Sequence, residues 1–297
     1  MRVTVTGATG TIGGALVREL RGRGDEVAVL SRSPEGDQFA WPDPKGEPPP
    51  PESLRGSGAV VHLAGEPLAQ RWSDSAKAEI RDSRVLATRS LVAGLRSLPE
   101  GERPAVLVSQ SAVGFYGARG DEPLDESASP GDDFLAEVVR EWEAEARGAE
   151  ELGARVVTTR TGVVLAKGGG ALEKTLPPFK LGVGGPVAGG RQYVPWIHLD
   201  DVIGAMLFCI DNDAANGPVN VAAPEPVTNK ELSKALGRAL RRPAVAPVPA
   251  FAVKLLYGEM AIVVTSGQRA VPKRLTELGY EFRRPELEPA LRAAIGG

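Results

Sequence analysis

The chain has 297 residues, 42% hydrophobic and 25% charged, the balance of an ordinary globular protein. A net charge of −3 argues against nucleic acid or an anionic membrane as an obligate partner. The single cysteine, Cys209, excludes an internal disulfide, and with only two histidines, His62 and His198, far apart in sequence, no metal site is expected.

Met1 to Thr6 reads as a buried strand, followed by Gly7-Ala8-Thr9-Gly10-Thr11-Ile12-Gly13 and then by Ala15, Leu16, Val17 and Leu20 at helical spacing. The chain enters this strand at once, so no signal peptide is expected. A glycine-rich turn between a strand and a helix is a place where a pyrophosphate can sit. The helix start offers free N–H groups and a positive dipole, and the missing side chains allow close approach. Gly7, Thr9, Gly10, Thr11, Ile12 and Gly13 are therefore candidate dinucleotide contacts.

The second strand spans Glu26 to Leu30 and runs into Ser31-Arg32-Ser33. An acid at this place would bind a free ribose 2′-OH. An arginine between two hydroxyls suits a 2′-phosphate, through paired guanidinium donors. Ser31, Arg32 and Ser33 thus predict NADP(H) rather than NAD(H).

A third strand is expected near Gln38 to Trp41, then a proline-rich connection from Pro42 to Pro51 that can be neither helix nor central strand. Ala59 to Leu63 is the next strand, and Ser73 can cap a helix reaching about Leu98. Ala105 to Ser109 and Val156 to Thr159 read as strands, separated by a helix that Asp132 or Asp133 caps and that runs to about Glu151. Strand–helix alternation of this kind predicts an α/β fold with a doubly wound parallel sheet.

Beyond residue 165 the character changes. Gly168-Gly169-Gly170 and the stretch from Gly182 to Gly190 are glycine-rich loops. Val194 to Ile197 reads as one short strand, Asp200 to Ile210 as a helix, Pro218 to Val221 as a strand, and Thr228 to Leu240 as a capped helix. The last ~50 residues suggest helices near Pro272 and Pro285. The expected division is 1–165 for nucleotide binding, with elements near 193–221 able to add to it. A smaller mixed substrate-side region, 166–297, ends in a helical appendage over 248–297. No apolar run approaches ~20 residues, so no membrane span is expected, and a cytoplasmic location fits.

Several segments together resemble the extended short-chain dehydrogenase/reductase superfamily, whose members have a Rossmann-type fold. They are Thr6 to Gly13, Val61-His62-Leu63-Ala64-Gly65, Ser109 to Gly117, Arg160-Thr161-Gly162 and Trp196 to Val202. The resemblance is closest to an atypical NADP-dependent, epimerase-like subgroup with a distinctive C-terminal region. Its hallmarks are matched by Arg71-Trp72-Ser73, Asp82-Ser83-Arg84, Asp133 to Ala136, Trp142-Glu143, Gly189 to Gln192 and Val271 to Leu275. The resemblance implies that Leu63, Ala64 and Gly65 line the cofactor's adenine side and ribose. It puts Ser111 in the stretch of the catalytic serine, with Ala112 the competing match.

One departure bears on mechanism. The superfamily's acid/base is a tyrosine four residues before a lysine on one helix face, where the ammonium lowers the phenol's pKa. The matching positions here are Phe134 and Val138, and the expected helix has neither tyrosine nor lysine. Ser111 and Tyr116 are the remaining catalytic candidates. For Tyr116, a packed ring with a bonded hydroxyl is an equal reading. Glu143 reads as a surface salt-bridging residue. Glu79 and Arg84 are candidates for contact with the cofactor, and Val163, past a strand end, is a candidate nicotinamide neighbour. His198 reads as a satisfied histidine at a helix start. Gln192 and Trp196 are substrate candidates, the ring either stacking on a ligand or belonging to the core.

These readings point to an NADP(H)-dependent oxidoreductase or epimerase-like enzyme acting on a small polar substrate, for which the resemblance suggests a nucleotide sugar and a homodimer. The alternative is an NADP(H)-binding regulatory or scaffold protein without turnover.

Overall fold

The computed structural model describes residues 1–296. Seven strands form the central sheet: β1 (Arg2–Thr6), β2 (Glu26–Ser31), β3 (Phe39–Ala40), β4 (Ala59–His62), β5 (Val106–Ala112), β6 (Arg155–Thr161) and β7 (Gly217–Val221). All neighbours pair in parallel, in the order β7-β6-β5-β4-β1-β2-β3. Strand order reverses at β1, so the crevice at the C-terminal ends of β1 and β4 is the natural ligand site of this topology.

Helices cover both faces, which is why the central strands are almost continuously buried. On one face α1 (Thr11–Gly22) and a later helix, Leu199–Asp211, pack Leu16, Leu20, Val202 and Met206 against Val3, Val5 and Val108. On the other, α2 (Asp74–Ser97) and α3 (Phe134–Arg147) pack Leu91, Leu95 and Ala146 against Val60, Leu107 and Val156. The Ser73 side chain caps α2 by accepting from the Ala76 N–H, and Asp133 caps α3 through Ala136, as their sequences predict. The seventh strand and the helix over 199–211 come from beyond residue 165, completing the sheet with chain from the second half.

That second half differs from expectation in two places. A helix, α4 (Gly170–Lys180), follows the Gly168–Gly170 loop although Pro177 and Pro178 lie inside it. The stretch from Val194 to Ile197 is not one strand. Tyr193–Val194 pairs antiparallel with Val227–Thr228, while Trp196–His198 pairs in parallel with Val163–Ala166. Pro195 stands between them. It has no N–H to give to a ladder, so the pairing changes partner there.

Leu165, Leu172, Phe179, Trp196, Leu236 and Leu291 build a separate core for this region. The C-terminal segment is tied to the sheet as well. The Asp201 carboxylate accepts from the Arg283 and Arg284 N–H groups, and Glu126 accepts from the N–H groups of Asn220 and Arg274. Ala250–Tyr257 and Leu287–Ile295 are its longer helices, with Lys273–Glu277 starting behind Pro272.

Candidate nucleotide and substrate site

Two glycines of the turn have room for nothing larger. Gly7 has φ of +70°, and a Cβ there would sit 2.7 Å from the Leu63 carbonyl carbon. A Cβ on Gly13 would lie 2.2 Å from the Gly7 oxygen. Gly10 is the N-cap of α1 and supplies no side-chain acceptor, so the first N–H groups of that helix stay open to a ligand.

Thr6 fixes the neighbouring strand end. Its Oγ1 accepts from the Leu63 and Ala64 N–H groups (3.1 and 3.2 Å) and donates to His62 Nδ1 at 2.8 Å. Leu63, Ala64 and Gly65 are thereby held beside the turn. Arg84 secures the chain just beyond, donating to the Glu66 and Ile80 carbonyls, both at 2.9 Å. It stacks on Trp142, with Cζ 5.4 Å from the ring centroid. Burial pulls the Arg84 guanidinium down to about 10, against the pull of Glu66.

A cleft of about 740 Å³ opens over these elements. Thr6 to Gly10, Ser31 to Ser33, Leu63 to Gly65 and Glu79 line it. Arg32 is exposed there and has no ion-pair partner among the described residues. Lys45 reaches the same cleft from the proline-rich connection and pairs with Glu79 at 2.7 Å. Sequence reasoning missed Lys45, because the surrounding prolines mark only a connection.

A second cavity of about 230 Å³ lies at the C-terminal end of β5 and β6. Ile80, Arg84, Gln110, Ala112, Trp142 and Gly162 are among its walls. Beneath it lies a buried polar network. Ser111 Oγ donates to Glu143 Oε1 at 2.6 Å, and Arg160 binds both Glu143 oxygens at 2.8 and 2.9 Å. Arg160 also donates to the Tyr116 hydroxyl at 3.1 Å, which in turn donates to Asn220 Oδ1 at 2.6 Å. Burial pushes the Tyr116 phenol up to about 12, outweighing the pull of Arg160. The Arg160 guanidinium sits above its usual value: desolvation opposes its charge, but the Glu143 hydrogen bonds and charge prevail.

Comparison with known proteins places this geometry. Residues 3–222 match the model of the NAD dependent epimerase/dehydratase family, and residues 248–294 match a Domain of unknown function (DUF1731). The chain belongs to the NAD dependent epimerase/dehydratase family. Among its relatives is the chloroplastic epimerase family protein SDR39U1 homolog of Arabidopsis thaliana, 43% identical over 99% of this chain and 87% of that protein. A crystal structure of the human epimerase family protein SDR39U1 with NADPH matches at a TM-score of 0.90. It is 35% identical and covers 99% of both chains. A structure of the nucleoside-diphosphate sugar epimerase from Corynebacterium glutamicum, also 35% identical, matches at 0.80 over all of this chain and 58% of that one.

Against this family frame, the residues singled out in the sequence divide. Gly7, Thr9, Gly10, Ser31, Arg32, Ser33, Leu63, Ala64, Gly65 and Glu79 share the large cleft, while Thr11, Ile12 and Gly13 form the first turn of α1 behind it. Arg84 and Ser111 fall on the inner cavity instead. Val163 lies at its edge, between Gly162 and Val164, with its N–H given to the Pro195 carbonyl. Ser111 and Tyr116 are fully buried, their hydroxyls spent on Glu143 and Asn220.

Glu143 is a correction. It is 2% exposed, not a surface residue, because Arg160 on the neighbouring strand and Ser111 satisfy both its oxygens. Trp196 is a core ring at 1% exposure whose indole N–H donates to the Glu225 carbonyl, which leaves it no face for a ligand. Gln192 ties its loop to the Val187 and Val264 carbonyls. His198 caps the helix over 199–211, accepting at Nδ1 from the Asp200 N–H. No cluster that could hold a metal ion occurs among the described residues, and no described helix is long and apolar enough to cross a membrane.

Proposed function

We propose that this protein is an NADP(H)-dependent oxidoreductase or epimerase-like enzyme that works without a tyrosine–lysine pair. The observation that carries it is the glycine turn beneath an uncapped α1, with Arg32 and Lys45 in the same cleft. The residues fit the cofactor. Open N–H groups at the start of α1 would hold the diphosphate. Ser31, Arg32, Ser33 and Lys45 would hold the 2′-phosphate, where the guanidinium supplies paired donors and the ammonium a point charge. The NADPH-bound human relative supports this choice. Leu63, Ala64 and Gly65 would flank the ribose, leaving the inner cavity for the reactive end. When bound, the nicotinamide supplies a hydride acceptor or donor.

Within that site Ser111 and Tyr116 are positioning residues. A phenol near 12 with its proton on Asn220 has no reason to exchange it at neutral pH. They and Glu143 hold Arg160 beneath the ends of β5 and β6, and so fix the floor of the inner cavity. The same observation favours a second reading, an NADP(H)-binding protein without turnover. Both readings require calorimetric binding of NADPH over NADH. Oxidation of bound NADPH during a carbonyl-substrate screen, followed at the reduced nicotinamide absorbance, supports the enzyme; binding with no turnover on any substrate supports the second reading.

A further inference from the structure

The polar groups that Arg84, Ser111 and Thr161 bring to the inner cavity are matched within the protein, and two other polar atoms of its lining residues are not. Trp142 is 4% exposed, and its indole Nε1 is buried with no hydrogen-bond partner. Gln110 Oε1 is likewise buried and unpartnered, its amide nitrogen going to the Ser111 carbonyl. Both residues line the cavity. A buried donor and acceptor left without partners cost free energy that a ligand bonding to them would recover. An unpaired donor and an unpaired acceptor in one lining, with Leu68, Ile80, Leu135 and Val138, suit a hydroxyl that uses both or a carbonyl oxygen that uses the donor alone.

A third cavity, about 470 Å³, lies next to this one. Leu135 lines both, and the wall between them is the apolar cluster of Trp72, Ile80 and Met260 with Leu68 and Phe134. The outer cavity is walled by Trp72, Phe134, Phe251 and Ile262. Phe251 stands 74% exposed at its side, a large ring left in water where an apolar ligand would cover it.

Charge points the same way. A sugar diphosphate brings two negative charges that call for free cationic donors. In the inner cavity the one cation, Arg84, already serves two backbone carbonyls and the Trp142 ring. In the outer cavity Lys254 shares the lining with Asp133 and Glu259. Neither cavity offers an uncommitted cation pair.

We infer that the substrate side takes an apolar carbonyl compound or its alcohol, not a nucleotide sugar. Its oxygen accepts from Trp142 Nε1, the hydroxyl of the alcohol also donates to Gln110 Oε1, and its hydrocarbon part runs along Leu135, which both cavities share, toward Phe251. This inference rests on the cofactor reading only for the chemistry that follows binding; the two cavities stand by themselves.

The test is ligand-detected NMR titration of the full chain, saturated with NADPH, using 2-decanone, 2-butanone and UDP-glucose. The same samples are titrated with NADPH alone. In the wild type, 2-decanone binds at least about tenfold tighter than 2-butanone, because its tail buries apolar surface. Phe251→Asp removes most of that advantage without affecting 2-butanone. Trp142→Phe, which keeps the ring and deletes the donor, weakens both ketones by a similar factor, about fivefold. Leu181→Asp, at a residue 78% exposed and outside both linings, changes neither. The inference is overturned if UDP-glucose binds more tightly than 2-decanone, if the two ketones bind alike, or if Leu181→Asp acts as Phe251→Asp does. Failure of NADPH to bind, with 2-decanone still bound and sensitive to Phe251→Asp, sinks the redox reading and leaves the apolar site standing.

Discussion

Arg160 grips Glu143 through both carboxylate oxygens, at 2.8 and 2.9 Å, with the two side chains only 4% and 2% exposed. The pair joins β6 to α3 under the inner cavity, and Ser111 and Tyr116 are bonded to its two ends. A buried ion pair of this kind contributes modestly as a pair, but removing one partner strands the other charge.

Glu143→Gln should therefore destabilise the fold by about 3–5 kcal/mol, since Arg160 is left buried without a counter-ion. In a thermal melt this is a fall of roughly 10 °C. The double variant Glu143→Gln/Arg160→Met should lose less than the sum of the single changes, because no charge is stranded. Additive losses in the double-mutant cycle would show that the pair is not coupled as the geometry implies.

On the proposed reading, Arg32 and Lys45 set a preference for NADPH. Arg32→Ala deletes a charge-assisted donor set worth about 1.5–3 kcal/mol, so NADPH affinity should fall roughly 10- to 100-fold with NADH affinity unchanged. Lys45→Ala should weaken NADPH less, because the ammonium is also engaged with Glu79. Calorimetry with both nucleotides reads the two effects. An equal loss for NADPH and NADH in Arg32→Ala would move Arg32 away from the 2′-phosphate.

Gly13 is fixed by close approach rather than by backbone angle. The Cβ of Gly13→Ala would meet the Gly7 oxygen at 2.2 Å, and neither is free to withdraw because α1 and β1 are both buried elements. Displacing the turn should cost about 1–3 kcal/mol of stability. NADPH binding should weaken by about tenfold or more, since the α1 N–H groups move with it. Gly24→Ala, at a site of positive φ with open space around it, serves as a strain control. It should lower stability slightly and leave NADPH binding intact.

What the sequence made legible follows the range of the interactions. Local signals were strong: the glycine turn, the Ser73, Asp133 and Thr228 caps, and the alternation of strands and helices all reappear. The helix at Gly170–Lys180 was hidden because glycine and two prolines read as breakers, although its Leu172 and Phe179 are buried in the second core. Glu143 was misread for a related reason. A glutamate at a helical spacing looks solvated unless one knows that Arg160, seventeen residues on, lies against it. Lys45 carries no local signal at all, since only tertiary folding of the proline-rich segment brings it to the cleft. The orphaned atoms of Trp142 and Gln110 belong to the same class: a missing partner is a property of the packed structure.

His62 carries a pH dependence through Thr6. Its ring is fully buried, with Nδ1 accepting from Thr6 Oγ1 at 2.8 Å and Nε2 without a partner. Burial lowers its pKa from 6.5 to about 4. The unfolded chain thus binds a proton more readily than the folded one. The contribution of neutral His62 is fully present above pH 6.5 and is lost as pH falls toward 4. The size set by that shift is about 3 kcal/mol. Denaturant unfolding of wild type and His62→Gln, measured between pH 7 and pH 4, isolates it from the carboxylates that titrate in both proteins. The wild type should lose stability more steeply over this range, with the difference between the two curves closing by about 3 kcal/mol. Parallel curves would mean that His62 is protonated as easily inside the fold as outside, and that its partnership with Thr6 does not hold it neutral. If the difference appears, NADPH affinity should fall in the same range, because Thr6 also holds Leu63 and Ala64 against the glycine turn.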